Sequence, residues 1–328
     1  MAILNSIKLK AVQLQKRIVL PESEDQRTID AASYVLDHSI AKLVVIGKDD
    51  VRAKIASKNT KDLEVIDPQG FKDIEAYISQ YYELRKAKGM TPEEARKTVR
   101  EDKLTFGALL VRNGYADGFV AGASNTSADV TRAALRCLSL DRKIGTVAGA
   151  FLMEVPDCQY GQDGVFIFAD CGVNPDPNVN QLAGIALASA KLFEQLVGAT
   201  PRVAFLSYSS KGSGHGPAID MIVEAVKKAK AANPALLIDG EFQADSALVP
   251  EVAKIKCPDG GEVAGKANVL IFPDLNSGNI SYKIVQRLAK ARAIGPLFMG
   301  FTKVCSDLSR GCDVQDIVDA VAITAVRS

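Results

Sequence analysis

The chain has 328 residues, 47% hydrophobic and 24% charged, with aromatics at 6% and no tryptophan. That length suits two α/β cores, and the composition excludes disordered, collagen-like and coiled-coil classes. Forty Lys and Arg against 39 Asp and Glu leave a formal charge of +1, so no net field draws the chain to nucleic acid or a membrane surface, although one local basic patch suffices for a polyanionic small ligand.

In chain order, the N-terminal stretch MAILNSIKLKAVQLQKR is amphipathic and lacks the apolar core and cleavage site of a secretory signal. No apolar run approaches the ~18 residues of a spanning helix, so a soluble, cytoplasmic protein is expected. Residues 16–21 predict a strand ended by Pro21, 26–37 a helix, 42–47 a second buried strand and 63–66 a weaker third. Strand, helix and strand at this spacing imply βαβ units and a parallel sheet. From 71 to 113 the pattern is helical and charge-rich, with Thr91-Pro92-Glu93-Glu94 as a capped helix start. A short strand at 118–121 leads into the loop GASNTSADVTR.

A second block begins near Ile144, with strands expected at 147–155, 165–169, 202–206, 236–238 and 269–272 and helices at 178–197, 217–232 and 278–290. Residues 294–299 read as a returning strand and 314–326 as a final amphipathic helix. No repeat, low-complexity tract or flexible linker separates the blocks, which suits a chain that crosses between two domains more than once. Six scattered cysteines without a CxxC pair, and only two histidines, fit neither a zinc site nor a redox motif. They read as reduced, mostly core thiols.

Three loops place small polar residues before a helix, where free N–H groups and the positive dipole end suit phosphate. They are 122–129 with Arg132 one turn on, 207–216, and 307–313. Each also has a purely structural reading, since turns and caps use the same residues. Glycine after Lys211 excludes a Walker A loop, no GxGxxG fingerprint follows a first strand, and His215 reads as a loop residue rather than a base. The segments 273–283, 295–297 and 305–316 carry more polar residues than turns require.

With these segments the chain resembles the phosphate acetyltransferase family. VAGKANVLIFPDLNSGNISYKIVQRLAKARAIGP and SDLSRGCDVQDIVDAVAITAV carry the likeness most strongly, with SYSSKGS and FADCGVNPDP, and it runs through essentially the whole length. The resemblance implies an α/β subunit of two three-layer α/β/α domains with a cleft between them, similar to the isocitrate and isopropylmalate dehydrogenases. It implies a discontinuous first domain of residues 1–143 and 298–328, a second of 144–297, an active site in the interdomain cleft, and a homodimer. The implied activity is reversible acetyl transfer between acetyl phosphate and coenzyme A by direct attack in a ternary complex. Coenzyme A or acetyl-CoA is then a substrate, with no bound cofactor and no metal, and the partners are these small molecules and phosphate rather than nucleic acid or membrane.

Matched residue by residue, the family's active-site serine and arginine fall on Ser309 and Arg310 of SRGC, and its proposed base on Asp316. Its phosphate-region arginine falls on Arg132 and a CoA-associated arginine on Arg85, and the loop with Ser127 lies where the phosphoryl group is expected; Ser127 and Lys283 are further substrate-binding candidates. Ala133 stands where many relatives are expected to have proline. In acyl transfer a site must deprotonate a thiol whose ordinary pKa is about 8.5 and stabilise the oxyanion that forms. Arg310 suits the carbonyl or phosphate oxygens, Ser309 the sulfur or oxyanion, and Asp316 the proton. If Asp313 caps the last helix, Asp316 is at N3, where an acid also serves the helix alone. Cys312 reads as a neighbour rather than an acyl carrier. A phosphate butyryltransferase or other acyl-specific phosphotransacylase, a metal- and NAD-dependent decarboxylating dehydrogenase and an acetyl-CoA-sensing module are the alternative readings. The lack of clustered carboxylates and the intact SRGC with Asp316 argue against the last two.

Overall fold

The computed structural model describes residues 2–328. The chain divides into two units: residues 2–139 with 302–328, and residues 140–301.

In the first unit, α1 (Ala2–Leu14) precedes β1 (Arg17–Leu20), α2 (Gln26–Asp37), β2 (Lys42–Ile46), α3 (Asp49–Lys54) and β3 (Leu63–Ile66). The charge-rich stretch resolves into α4 (Ile74–Arg85), α5 (Pro92–Glu101) and α6 (Lys103–Arg112), followed by β4 (Gly118–Ala121) and α7 (Ser127–Cys137). The expected helix start is present: Thr91 and Glu94 form a reciprocal capping box with Pro92 in the first turn.

The second unit holds β5 (Ala148–Glu154), β6 (Val165–Ala169), α8 (Val179–Val197), β7 (Arg202–Leu206), α9 (Pro217–Ala232) and β8 (Leu237–Phe242). Next come α10 (Ala244–Leu248), α11 (Pro250–Lys256), β9 (Val269–Ile271), α12 (Leu275–Leu288) and β10 (Arg292–Met299). The chain then returns to the first unit with β11 (Val304–Asp307) and α13 (Val314–Arg327).

The first unit's sheet runs β3-β2-β1-β4-β11 and is parallel throughout. Its strands β1, β2 and β4 are largely apolar on both faces, as a sheet covered by helices on both sides requires; all four residues of β4 are buried. The second unit's order is β10-β5-β6-β9-β7-β8. Here β10, β5 and β6 pair antiparallel while β6, β9, β7 and β8 pair parallel, so this sheet is mixed rather than parallel.

Two expectations change. The strand read at 294–299 is β10, which pairs with β5 in the second unit. The strand that joins the first unit's sheet is β11, only four residues long, which the sequence pattern does not reveal. The last helix, expected to be amphipathic, is buried along 317–326 without a break, because α1, α2 and β4 all pack on it. Its one acid in that stretch, Asp319, is held by an ion pair with Lys8 at 2.7 Å. Five of the six cysteines are buried and all are free, in keeping with core thiols.

Candidate functional site

In a parallel sheet the chain turns outward at the carboxyl ends of the strands, where ligands of α/β proteins gather. Three neighbouring strands of the first unit, β1, β4 and β11, end in the segments 21–27, 122–127 and 307–313. Glu22 and Arg27 tie these segments together, and Asp307 lies buried among them.

Glu22 is 3% exposed. Its Oε2 accepts the N–H groups of Gly122 and Ala123, each at 2.8 Å. Its Oε1 accepts those of Ser124 at 3.1 Å and Asn125 at 2.8 Å, together with the Ser124 hydroxyl and the Asn125 side-chain amide. Four successive backbone donors around one carboxylate make an anion nest, and the chain's own glutamate fills it. The N–H groups of 122–125, read from sequence as a phosphate cradle, are therefore committed to Glu22. What the loop leaves open is the start of α7. There Thr126 caps the helix, and the exposed Ser127 occupies its first turn beside free N–H groups.

Arg27 acts as a clamp. Its guanidinium donates to the backbone carbonyls of Ala123 (2.7 Å), Arg310 (2.8 Å) and Cys312 (2.7 Å). Asp25, the N-cap of α2, holds the same guanidinium at 2.7 Å, and this hydrogen bond keeps the Asp25 carboxyl below the usual range. One side chain thus fixes the 122–125 loop against the segment that carries Ser309 and Arg310.

Ser309 and Arg310 are exposed. The Ser309 hydroxyl accepts the Gly311 N–H at 3.2 Å, which leaves its hydrogen free to donate. Among the described residues the Arg310 guanidinium has no carboxylate within ion-pair distance, so its planar fork of donors is open to a ligand. Cys312 is 6% exposed, and burial pushes its thiol up to about 11. At neutral pH it is an uncharged thiol and a poor nucleophile. Asp313 and Asp316 form a capping box: the Asp316 N–H donates to Asp313 Oδ1 at 2.9 Å and the Asp313 N–H to Asp316 Oδ2 at 3.0 Å. The cap is real, and it engages one Asp316 oxygen while the exposed side chain keeps Oδ1 available.

Arg132 is exposed one turn into α7 and pairs with Asp129 at 2.6 Å. Arg85 ends α4, half-buried, with its Nε buried and without a hydrogen-bond partner. Lys283 lies on α12 of the second unit, exposed, with its ammonium 5.7 Å from the Tyr282 ring. The first unit therefore gathers Ser127, Arg132, Ser309, Arg310 and Asp316 onto the segments that follow β4 and β11, while Arg85 comes from the helical stretch and Lys283 from the other unit.

The loop 207–216 of the second unit is also filled from within. Buried Glu241 accepts the Ser209 hydroxyl at 2.8 Å and the Gly212 N–H at 2.7 Å, and Lys211 pairs with Asp239 at 2.7 Å. Asp170 does the same for 172–174, taking three backbone N–H groups of that loop. His215 is exposed in its loop, as expected. Among the described residues no three His, Cys, Asp or Glu side chains gather as a metal site requires.

Sequence reasoning missed Glu22, Arg27 and Asp307. Glu22 and Asp307 sit at the ends of strands, a signal that is visible only once β1 and β11 are known to be near neighbours of β4. For Arg27 the sequence offers no signal, because the carbonyls it binds lie 96 to 285 residues away.

The sequence pattern of the family described as "Phosphate acetyl/butaryl transferase" matches residues 2–325. A phosphate acetyltransferase of Thermoanaerobacterium thermosaccharolyticum is 48% identical over 329 residues, covering 100% of both chains. One from Acetivibrio thermocellus is 47% identical, covering 100% of this chain and 98% of its own. Among solved structures, a phosphotransacetylase from Streptococcus pyogenes superposes with a TM-score of 0.91 at 38% identity, covering 99% of this chain and 97% of its own. A 4-hydroxythreonine-4-phosphate dehydrogenase from Salmonella typhimurium shares the fold at 9% identity with a TM-score of 0.54, over 95% of this chain and 98% of its own.

Proposed function

Because the chain belongs to the phosphate acetyl/butaryl transferase family, we propose that the segments after β4 and β11 perform its acetyl transfer between acetyl phosphate and coenzyme A. The activity is that of an acyltransferase, as in its full-length relatives. The observation that carries the assignment of residues is the Arg27 clamp, which joins the Ser309–Arg310 segment to the loop that leads into Ser127 and Arg132.

In this reading Ser127, the first-turn N–H groups of α7 and Arg132 receive the phosphoryl group, for which a helix N-terminus with an adjacent guanidinium is suited. The exposed fork of Arg310 meets the acetyl carbonyl or the bridging oxygen and stabilises charge as the tetrahedral intermediate forms. Asp316, through Oδ1, takes the proton of the coenzyme A thiol, and Ser309 donates its hydroxyl hydrogen to the sulfur or oxyanion. The thiolate then attacks the carbonyl carbon, a C–S bond forms, the C–O bond to phosphate breaks, and phosphate leaves as a stable anion. Cys312, neutral and buried, is a bystander, so transfer is direct in a ternary complex. Arg85, with its unpartnered buried Nε, and Lys283 are the cations assigned to coenzyme A. Side chains and the first-turn N–H groups of α7 fill these roles, and no metal or bound cofactor enters the scheme.

We further propose a homodimer through α12. Ile280, Ile284 and Leu288 are 54%, 50% and 82% exposed, at a spacing of four that forms one stripe on the helix. A cytoplasmic setting, where thiols stay reduced, accords with the six free cysteines. No helix among the described residues is long and apolar enough to cross a membrane.

The test is coenzyme A-dependent phosphate release from acetyl, propionyl and butyryl phosphate. The highest kcat/KM is expected for the acetyl compound, with release lost in Arg310→Gln while the KM for coenzyme A changes little. A variant that altered only that KM would move Arg310 from catalysis to binding.

A further inference from the structure

One carboxylate in this region has no role in the scheme above and no partner. Asp307 ends β11, is 3% exposed, and neither of its oxygens reaches a hydrogen-bond partner. Its surroundings explain the isolation. Gly122, at φ +115, packs its α-carbon so closely that a Cβ there would lie 2.6 Å from Asp307 Oδ1 and 2.5 Å from the Leu308 carbonyl. The Leu308 N–H beside it is committed to the Ala121 carbonyl at 2.8 Å. Glu22 faces it from the end of β1 as a like charge, and Cys305, two residues back on β11, is a buried thiol pushed up to about 12 and therefore neutral. The remaining neighbour is the hydroxyl of Ser127, near enough to favour the ionised form slightly though outside ordinary hydrogen-bond geometry. A buried carboxylate with no donor and a glutamate beside it is costly as an anion. Burial first, and Glu22 second, raise its pKa to about 6 against the pull of Ser127 and the Leu308 amide.

The polarity of hydrogen bonds then fixes a direction. A phosphoryl oxygen only accepts, so Ser127 can bind it only by donating its single hydroxyl hydrogen. The Ser127 oxygen is then best supported by a donor on its other side, and an ionised carboxylate there pulls the same hydrogen away from the ligand. We propose that Asp307 is a positioning residue which, as the neutral acid, donates its proton to the Ser127 hydroxyl and so turns that hydroxyl's own hydrogen toward the phosphoryl group. The chain of donors runs Asp307 to Ser127 to phosphoryl oxygen. No proton is transferred along it; phosphoryl binding and protonation of Asp307 favour one another. The inference rests on the reading of Ser127 as a phosphoryl ligand.

The sign follows from linkage. A bound anion near the carboxyl favours its protonated form, so affinity for acetyl phosphate is highest below the free-enzyme pKa and falls as pH rises through and above it, by up to tenfold per unit for one proton. The experiment is the KM for acetyl phosphate between pH 6 and 8 in the wild type, Asp307→Asn, Asp307→Ala and Ser127→Ala. The wild-type KM rises across this range. Asp307→Asn, whose amide donates whatever the pH, keeps a low KM that no longer varies with pH, while Asp307→Ala has a raised KM at pH 6. The same titration in both variants controls for ionisation of the substrate itself. A wild-type profile shared by Asp307→Asn, or an Asp307→Asn enzyme as weak as Asp307→Ala, overturns the proposal. If Ser127→Ala leaves the KM for acetyl phosphate unchanged, the reading of Ser127 has failed and the proposal with it. A raised KM in Ser127→Ala with no effect of Asp307→Asn on the profile overturns the Asp307 role alone. Should Asp307→Ala fail to fold, infrared difference spectra with bound inorganic phosphate decide the matter. They show the carbonyl stretch of a protonated carboxyl group in the wild type and lose it in Asp307→Asn, and absence of that band from the wild type overturns the inference.

Discussion

In the proposed scheme Asp316 carries two roles on two oxygens. Oδ2 accepts the Asp313 N–H and closes the capping box, while Oδ1 is free for the thiol proton. Asparagine can keep the first role and cannot fill the second. Asp316→Asn is therefore expected to melt within a few degrees of the wild type, because a helix-terminal charge is worth about 1 kcal/mol or less. Its turnover is expected to fall by ~10²–10⁴-fold, the usual contribution of a general base. Thermal melts and rates on the same preparation check this, and a folded variant with near-normal kcat removes Asp316 as the base. Cys312 is the contrasting case: its proximity to Arg310 invites a covalent role, but burial holds its thiol at about 11. Proximity without ionisation gives no nucleophile.

At the scale of elements, the loops in this fold that look like anion sites are largely shaped by the chain's own carboxylates. Glu22 organises 122–125, Asp170 organises 172–174, and Glu241 organises 207–216. A built-in anion spends the backbone donors of the loop but holds it in place, which in the proposed scheme positions Ser127 before its ligand arrives. Removing the carboxylate leaves four N–H groups, those of Gly122 and Ala123 buried, to find other partners. Each buried polar group left unpaired costs about 1–3 kcal/mol. Glu22→Ala is expected to lose about 3 kcal/mol or more, read as a fall in melting temperature of roughly 5–10 °C, together with a raised KM for acetyl phosphate. A variant that melts with the wild type would show that water replaces the carboxylate at no cost, and that the nest does not order the loop.

For the whole molecule, the α12 stripe is the test of assembly. Three large apolar side chains at four-residue spacing, exposed on one helix, are a poor surface for a monomer. Ile284→Glu places a charge at the centre of that stripe. Light scattering is expected to give a dimer for the wild type and a monomer, or a dimer that dissociates on dilution, for the variant. A wild type that is monomeric and fully active at assay concentrations rules out the proposed homodimer.

What the sequence by itself determined was local. The helix at 26–37, the strand at 63–66, the capped start at Thr91 and the Asp313–Asp316 spacing depend on periodicities and hydrogen bonds spanning a few residues, and all are present in the structure. The SRGC segment and Arg132 were legible for a different reason, since a family's motif survives as a string of letters. Tertiary structure decided what the strings rest on. The short β11 becomes a strand because β4 offers it a partner edge, and α13 is buried from 317 to 326 because α1 and α2 cover it. Glu22 meets its loop across 100 residues and Arg27 meets Cys312 across 285, distances at which no spacing rule operates. Asp307 has no local signature at all: its importance comes from lacking a partner, and a missing hydrogen bond can be recognised only after every neighbour is in place.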